Sequence, residues 1–341
     1  MALLEVRDLK TYFFMTKGVV KAVDGVSFEI ERGETFGLAG ESGCGKTTTA
    51  YSIMRLVPYP GRVVEGSITF DGTDILSMSE EEFRKIRWKR ISMIFQGAMN
   101  ALNPVFRIGD QIAEAMIIHN KNITKEEAMK RVRELFEAVG LDPSRVNCYP
   151  HEFSGGMRQR AMIAMALVNN PDLVIADEPT TALDVTIQAQ ILQLLLDLKR
   201  KYKMSLMLIT HDLSIIAEIS DKVGIMYAGK LVECGDVITI FGKPIHPYTK
   251  GLIEAIPSME RGREKTLFSI PGNPPDLINP PSGCRFHPRC PYAQEICKER
   301  EPDYLEIKKG HYVACHFADE LKKVSAREFW SKYAEEVTVI E

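Results

Sequence analysis

Gly40-Glu41-Ser42-Gly43-Cys44-Gly45-Lys46-Thr47 is the stretch on which the fold turns. It fits the pattern G-x-x-x-x-G-K-[ST], in which glycines let backbone N–H groups turn inward around phosphate oxygens. Upstream, Thr35–Ala39 is an apolar run of strand length, and downstream Thr47–Leu56 has helical character. A loop between strand and helix sets the positive end of the helix dipole against the anion. In this reading residues Ser42 through Thr48 wrap the phosphates of a nucleotide. Lys46 reaches the β- and γ-phosphates, and the Thr47 hydroxyl ligates Mg²⁺. Cys44 reads as a small residue whose side chain points away. Four fixed positions arise by chance in roughly one chain in a hundred of this length, so the flanking strand and helix carry the assignment.

The rest of the chain supplies the partners such a loop needs. Leu173-Val174-Ile175-Ala176-Asp177-Glu178 is an apolar strand closing on two carboxylates. Asp177 is suited to hold Mg²⁺ through water, and Glu178 to polarise an attacking water as general base. His211 lies in Ile209-Thr210-His211-Asp212 at the end of the next apolar strand, Ser205–Ile209, and is suited to donate to a γ-phosphate. Gln96 follows strand Ile91–Phe95. Between them lies Phe153-Ser154-Gly155-Gly156-Met157-Arg158-Gln159-Arg160, whose Ser-Gly-Gly turn opens an apolar helix, Gly155–Val168.

Strands alternating with helices imply an α/β core with largely buried parallel strands. Leu3–Leu9, Val26–Ile30 and residues 64–70 make the N-terminal part β-rich. Ser79 followed by three glutamates reads as an N-cap for a helix through Trp88. Residues 110–168 are mostly helical, including amphipathic Lys125–Val139, and interrupt the alternation as a subdomain. Helix Ile187–Lys201 then leads to the strand ending at Ile209. Six prolines from Pro257 to Pro281 rule out a regular helix there and suggest an extended tether. A helical pattern from Ala318 to Ala334 closes the chain. The expected division is a nucleotide-binding domain over 1–256, with its helical subdomain at about 97–168, and an extension over 257–341.

A net charge of −3 gives no electrostatic reason for nucleic acid as a ligand. No apolar run approaches the roughly 18–20 residues of a membrane span, and the first residues lack the apolar stretch of a signal peptide. The expected location is cytosolic, with any membrane association made through a partner. Cys284, Cys290, Cys297 and Cys315 are spaced C-x5-C-x6-C-x17-C, unlike the tight pairs of most zinc sites. Four thiolates suit either Zn²⁺ or a [4Fe–4S] cluster.

In order, Gln96, Ser154-Gly155-Gly156, Asp177-Glu178, Ala182-Leu183-Asp184 and His211 resemble the motifs of an ABC transporter nucleotide-binding domain, over about residues 3–256. The resemblance implies a P-loop NTPase with a RecA-like core. Gln96 would touch both Mg²⁺ and water, and Asp184 would belong to a turn linking two sites. Ser154, Gly155 and Gly156 would face ATP held by a second ATPase subunit. Phe13 is the choice for stacking on adenine, with Tyr12 and Phe14 as alternatives.

Ala101-Leu102-Asn103-Pro104-Val105, His246-Pro247-Tyr248-Thr249 and the tail around Cys284 and Cys290 resemble dipeptide and oligopeptide importer ATPases; Ala101 stands where Ser is common. That resemblance implies docking on integral-membrane permease subunits from the cytoplasmic face, with an extracytoplasmic peptide-binding protein as an indirect partner. It also implies a [4Fe–4S] cluster on the four cysteines, since some of these ATPases carry one, with Zn²⁺ as the alternative. ATPases of nickel or other small-solute importers look alike. A soluble non-transport ABC ATPase fits less well, because one P-loop is present and no sustained heptads separate it from the Ser-Gly-Gly turn.

Overall fold

The computed structural model describes residues 2–97, 101–181, 183–256 and 268–330, which group into two compact units. Unit 1 comprises 1–4, 30–35 and 69–209; unit 2 comprises 5–29, 36–68 and 210–341. The Cys-rich tail thus belongs to the same compact unit as the phosphate-binding loop.

Unit 1 carries three parallel strands, Ile91–Ile94, Leu173–Asp177 and Ser205–Ile209, in register through Met93↔Ile175 and Ile175↔Met207. Every residue of these strands is buried, as expected where both faces of a parallel sheet are covered. Helix Val185–Tyr202 turns Ile191, Leu192, Leu195 and Leu198 inward at helical spacing. Three basic residues, Lys199–Lys201, sit in its last turn, where the helix dipole favours cations.

The helical block of unit 1 consists of Ile108–His119, Lys125–Ala138 and Gly155–Leu167. Lys125–Ala138 opens on a capping box between Thr124 and Glu127 and buries Ala128, Val132, Leu135 and Phe136. The Ser79 cap is also a full capping box, with Glu82, yet that helix runs only over Glu80–Arg84. It does not reach Trp88, which takes a left-handed φ of 63° and whose indole donates to the Met165 carbonyl at 3.1 Å.

In unit 2, strands Gly18–Ile30, Leu4–Met15 and Gly61–Phe70 lie in that order, longer than the sequence suggests. Strand Thr35–Ala39 pairs in parallel with Lys222–Tyr227, which forms an antiparallel hairpin with Lys230–Asp236. The tail then adds His311–Val313 against Lys230–Asp236, and Leu305–Lys308 against His311–Val313. The tail hairpin does not stand out in the sequence, because its strands are too short for a period-2 signal.

The expected helix over Ala318–Ala334 is broken. Ala318–Leu321 ends early, and Ser325 caps a second helical stretch by accepting the Glu328 N–H at 3.2 Å. Residues 331–334, like Ala182 and Pro257, lie outside the described residues. The described stretch 268–281 holds no helix or strand, in keeping with its prolines.

Candidate active site

In unit 2 the loop Gly40–Gly45 feeds helix Lys46–Met54, with Gly45 as its N-cap residue at φ 107°. Two glycines are sterically required. A Cβ at Gly40 would sit 2.2 Å from the Met226 carbonyl oxygen, and one at Gly45 would sit 2.1 Å from that of Ala22. Ser42 and Gly43 are exposed, Lys46 is 5% exposed, and Thr47 and Thr48 are half-buried in the first helical turn. The Lys46 ammonium folds back onto its own loop and donates to the carbonyls of Gly40 (2.7 Å) and Glu41 (3.0 Å). Cys44 is buried, and burial raises its thiol above the ordinary range, as suits an inert packing residue.

Glu41 has partners that sequence reasoning missed. Its carboxylate takes both terminal nitrogens of Arg289, at 2.7 and 2.9 Å. Its backbone N–H donates to the Tyr248 hydroxyl at 2.9 Å. Burial works to lower the Arg289 guanidinium, but its bonds to Glu41 and Tyr227 carry it above the ordinary arginine range. Glu41 and Arg289 lie 248 residues apart, so no spacing pattern joins them. The one available signal was a carboxylate inside an anion-binding loop, where an unpaired negative charge is unfavourable.

The aromatic candidates also lie in this unit. Phe13 is half-buried in strand Leu4–Met15 and close-packed on Gly61, where a Cβ would come within 2.6 Å of the ring. Tyr12 donates its hydroxyl to Asp24 at 2.6 Å, while Phe14 is 40% exposed beneath the Arg62 guanidinium. His211 is exposed in the turn before helix Leu213–Ile219, next to Asp212, which caps that helix.

Unit 1 brings a second group together. Asp177 closes its strand fully buried, and Glu178 follows at a left-handed φ of 43°. Such a conformation in a non-glycine residue is a strain often found at functional positions. One Glu178 carboxylate oxygen accepts from Gln96 Nε2 at 2.8 Å and from the Thr181 hydroxyl at 2.9 Å. The Gln96–Glu178 contact was foreseen only as two separate roles; Thr181 was not foreseen.

Ser154 and Asp184 are both N-caps, accepting from the N–H of Met157 (3.4 Å) and Ile187 (2.9 Å). A Cβ on Gly156 would approach Ile187 to 3.1 Å, so the Ser-Gly-Gly helix and the Asp184 helix start side by side.

The four tail cysteines line one pocket of about 20 Å³, together with Phe286 and Phe317. Gly283, at φ 63°, lets Cys284 turn tightly against Cys297, whose carbonyl accepts the Cys284 N–H at 2.8 Å. Burial pushes the Cys284 thiol up to about 11 and that of Cys315 to about 12, and raises Cys290 further. None of the seven cysteines is in a disulfide, and among the described residues no group of three or more His, Cys, Asp or Glu side chains is placed to bind a metal ion. The donor set is right for a thiophilic metal; the ligand geometry is not formed.

A glycine-cradled lysine, a strand ending in Asp-Glu and a Ser-Gly-Gly N-cap together define an ATP-hydrolysing cassette of the ABC class. Residues 23–181 match the ABC transporter family model, and residues 232–297 match that for the oligopeptide/dipeptide transporter C-terminal region. The chain is 51% identical to the oligopeptide transport ATP-binding protein OppD of Bacillus subtilis, over 91% of this chain and 87% of that one. It is 49% identical to the dipeptide transport ATP-binding protein DppD of the same organism, over 93% and 95%. Among solved structures, the ATP-binding cassette MJ0796, dimeric and bound to ADP and Pi, is 27% identical with a TM-score of 0.62, over 69% of this chain and 98% of that one. The chain belongs to the ABC transporter ATPases of the oligopeptide/dipeptide type.

Proposed function

We propose that this chain is the ATP-hydrolysing subunit of an importer of di- and oligopeptides. The match of residues 232–297 to the oligopeptide/dipeptide region carries the reading, because it covers the His246–Thr249 stretch and three of the four tail cysteines, Cys284, Cys290 and Cys297. Lys46 and the backbone amides of Ser42–Thr48 hold the ATP phosphates, and Phe13 stacks on adenine. Mg²⁺, when bound, neutralises charge on the phosphates. Thr47, Gln96 and, through water, Asp177 would hold it, and the buried Asp177 carboxylate is the kind of hard oxygen donor that suits this ion. Glu178 orients and deprotonates the attacking water, Gln96 steadies that carboxylate, and His211 donates to the γ-phosphate.

Ser154, Gly155, Gly156 and Asp184 serve ATP across an interface with a second ABC subunit, either another copy or a related ATPase. Val185, 82% exposed directly after Asp184, supports such a face. Val105 and Phe106, 72% and 57% exposed in the helical unit, support docking on a membrane permease. Among the described residues no helix is long and apolar enough to cross a membrane. Docking on a permease would place the chain peripherally at the cytoplasmic face. An extracytoplasmic peptide-binding protein delivers the solute, and nucleic acid plays no part.

We further propose that residues 257–341 form an accessory segment in which Cys284, Cys290, Cys297 and Cys315 bind a structural [4Fe–4S] cluster, with Zn²⁺ as the alternative. Their convergence on one pocket supports this. A strain lacking the gene should lose uptake of labelled di- and oligopeptides, regained with the wild-type chain and not with Lys46→Ala. Loss of nickel uptake with peptide uptake intact would overturn the assignment. Anaerobically purified protein should absorb near 400 nm and hold about four irons per chain. Stoichiometric zinc without iron would select the alternative, and neither metal would reject both.

A further inference from the structure

We infer that Arg289 and Tyr248 are positioning residues for the phosphate-binding loop, acting through Glu41, so that the C-terminal segment sets how tightly the loop holds nucleotide. The inference rests on the reading of Gly40–Thr48 as the ATP loop. Glu41 is a carboxylate built into a loop that must receive a polyphosphate. Left alone, it would repel its own ligand and compete with it for Lys46.

The structure removes that conflict. Arg289 grips both carboxylate oxygens in a bidentate pair, the geometry in which guanidinium and carboxylate bind most strongly. Its side chain is 5% exposed and that of Glu41 27%, so solvent reaches the pair from the carboxylate side only. Arg289 is itself fixed: Nε donates to the Pro271 carbonyl at 2.8 Å, and Nη1 also reaches the Tyr227 hydroxyl at 3.4 Å. Lysine has no such fork and could not make this set of bonds.

The main chain of Glu41 is held as well. The Tyr248 hydroxyl takes its N–H, which leaves the phosphate cradle to the amides from Ser42 onward. Tyr248 is fully buried and packs at 4.7 Å from the Tyr227 ring and 5.4 Å from Phe286. The Glu41 carbonyl in turn accepts from Lys46. Arg289, Glu41 and Lys46 therefore form one chain of contacts from the Cys-rich tail to the phosphate-binding lysine. Arg289 immediately precedes Cys290, so a change in the cysteine pocket has a short path to the loop.

A loop fixed before ligand arrives loses less entropy on binding. The charge argument makes a sharper demand than general support of the fold. Removing Arg289 alone strands the Glu41 charge beside the phosphates, whereas removing both members of the pair removes the repulsion.

Binding of a fluorescent ATP analogue with Mg²⁺ to the full chain tests this, alongside thermal stability, KM and kcat. Arg289→Ala should weaken nucleotide binding by about thirtyfold, and Glu41→Ala by about threefold. The double variant should return to near the Glu41→Ala value, with kcat at saturating ATP little changed throughout. If Arg289→Ala does not accumulate as folded protein, Arg289→Gln replaces it in the same cycle. Binding within about twofold of wild type for the Arg289 variant would overturn the inference. So would a double variant as weak as the Arg289 single, which would make Arg289 a fold support only. Lys46→Ala is the control: if it loses binding while the Arg289 variant keeps it, only this inference falls. Undiminished binding by Lys46→Ala would overturn the ATP-loop reading and this inference with it.

Discussion

Glu178 and Glu41 are both acidic residues of an ATPase, and their surroundings differ. Glu178 is half-buried, and one of its carboxylate oxygens accepts from Gln96 and Thr181. Glu41 has both oxygens consumed by a buried guanidinium and its amide taken by a buried tyrosine. A general base has to meet water and accept a proton, so a carboxylate that is only half-buried suits the task. A loop residue whose charge opposes the ligand has to be silenced and fixed. If both proposals hold, one residue type in two environments serves as a working group in one and as a fastening in the other.

The contrast is most open to attack at Glu178. Glu178→Gln should lower ATP turnover by about 10²–10⁴-fold while nucleotide still binds. Single-turnover hydrolysis at the wild-type rate would sink the role of Glu178 as base and erase the distinction from Glu41.

A second break point lies on the fastened side, at His246. The ring is fully buried, and burial holds it down to about 4, below the ordinary 6.5; its Nδ1 accepts the Tyr248 N–H at 3.1 Å. The unfolded chain binds a proton here below pH 6.5, while the folded protein resists until about pH 4. Stability contributed by the neutral ring is therefore present above pH 6.5 and lost as pH falls toward 4, on the order of 3 kcal/mol in all. His246→Asn keeps an acceptor for the cap and removes the titration, so its melting temperature should vary less across this window. An unchanged acid limb would show that other groups govern it.

The smallest effect concerns the two helix caps on the working side. Ser154→Ala and Asp184→Ala should each cost about 1 kcal/mol of stability, read as a shift of a few degrees or less. In the assembled transporter Ser154→Ala should also depress turnover beyond that structural loss. A variant whose turnover follows stability alone would leave Ser154 as a cap with no part in ATP contact.

Legibility in the sequence followed the range of the contacts. Thr35–Ala39 and Ser205–Ile209 appear with the boundaries read from the sequence, because an apolar run between turn residues is a local signal. The Ser79 cap is local too, although its helix ends at Arg84 and does not run through Trp88. The helix expected over Ala318–Ala334 failed because Ser325 caps a new helix inside the pattern, a competition that periodicity does not register. Strand pairing of Lys230–Asp236 with His311–Val313 joins residues about eighty apart and left no trace in either segment.

The sequence by itself determined the local pieces: a glycine loop of the kind that holds phosphate, a strand that closes on a carboxylate pair, and a Ser-Gly-Gly turn that caps a helix. Each rests on residues within one turn or strand, so spacing along the chain is spacing in the molecule. Only the tertiary structure decided which charges are silenced and which are left to act. Arg289 finds Glu41, Tyr248 finds the loop amide, and Gln96 finds Glu178 through folding alone, because pairing across long separations is set by packing of whole elements.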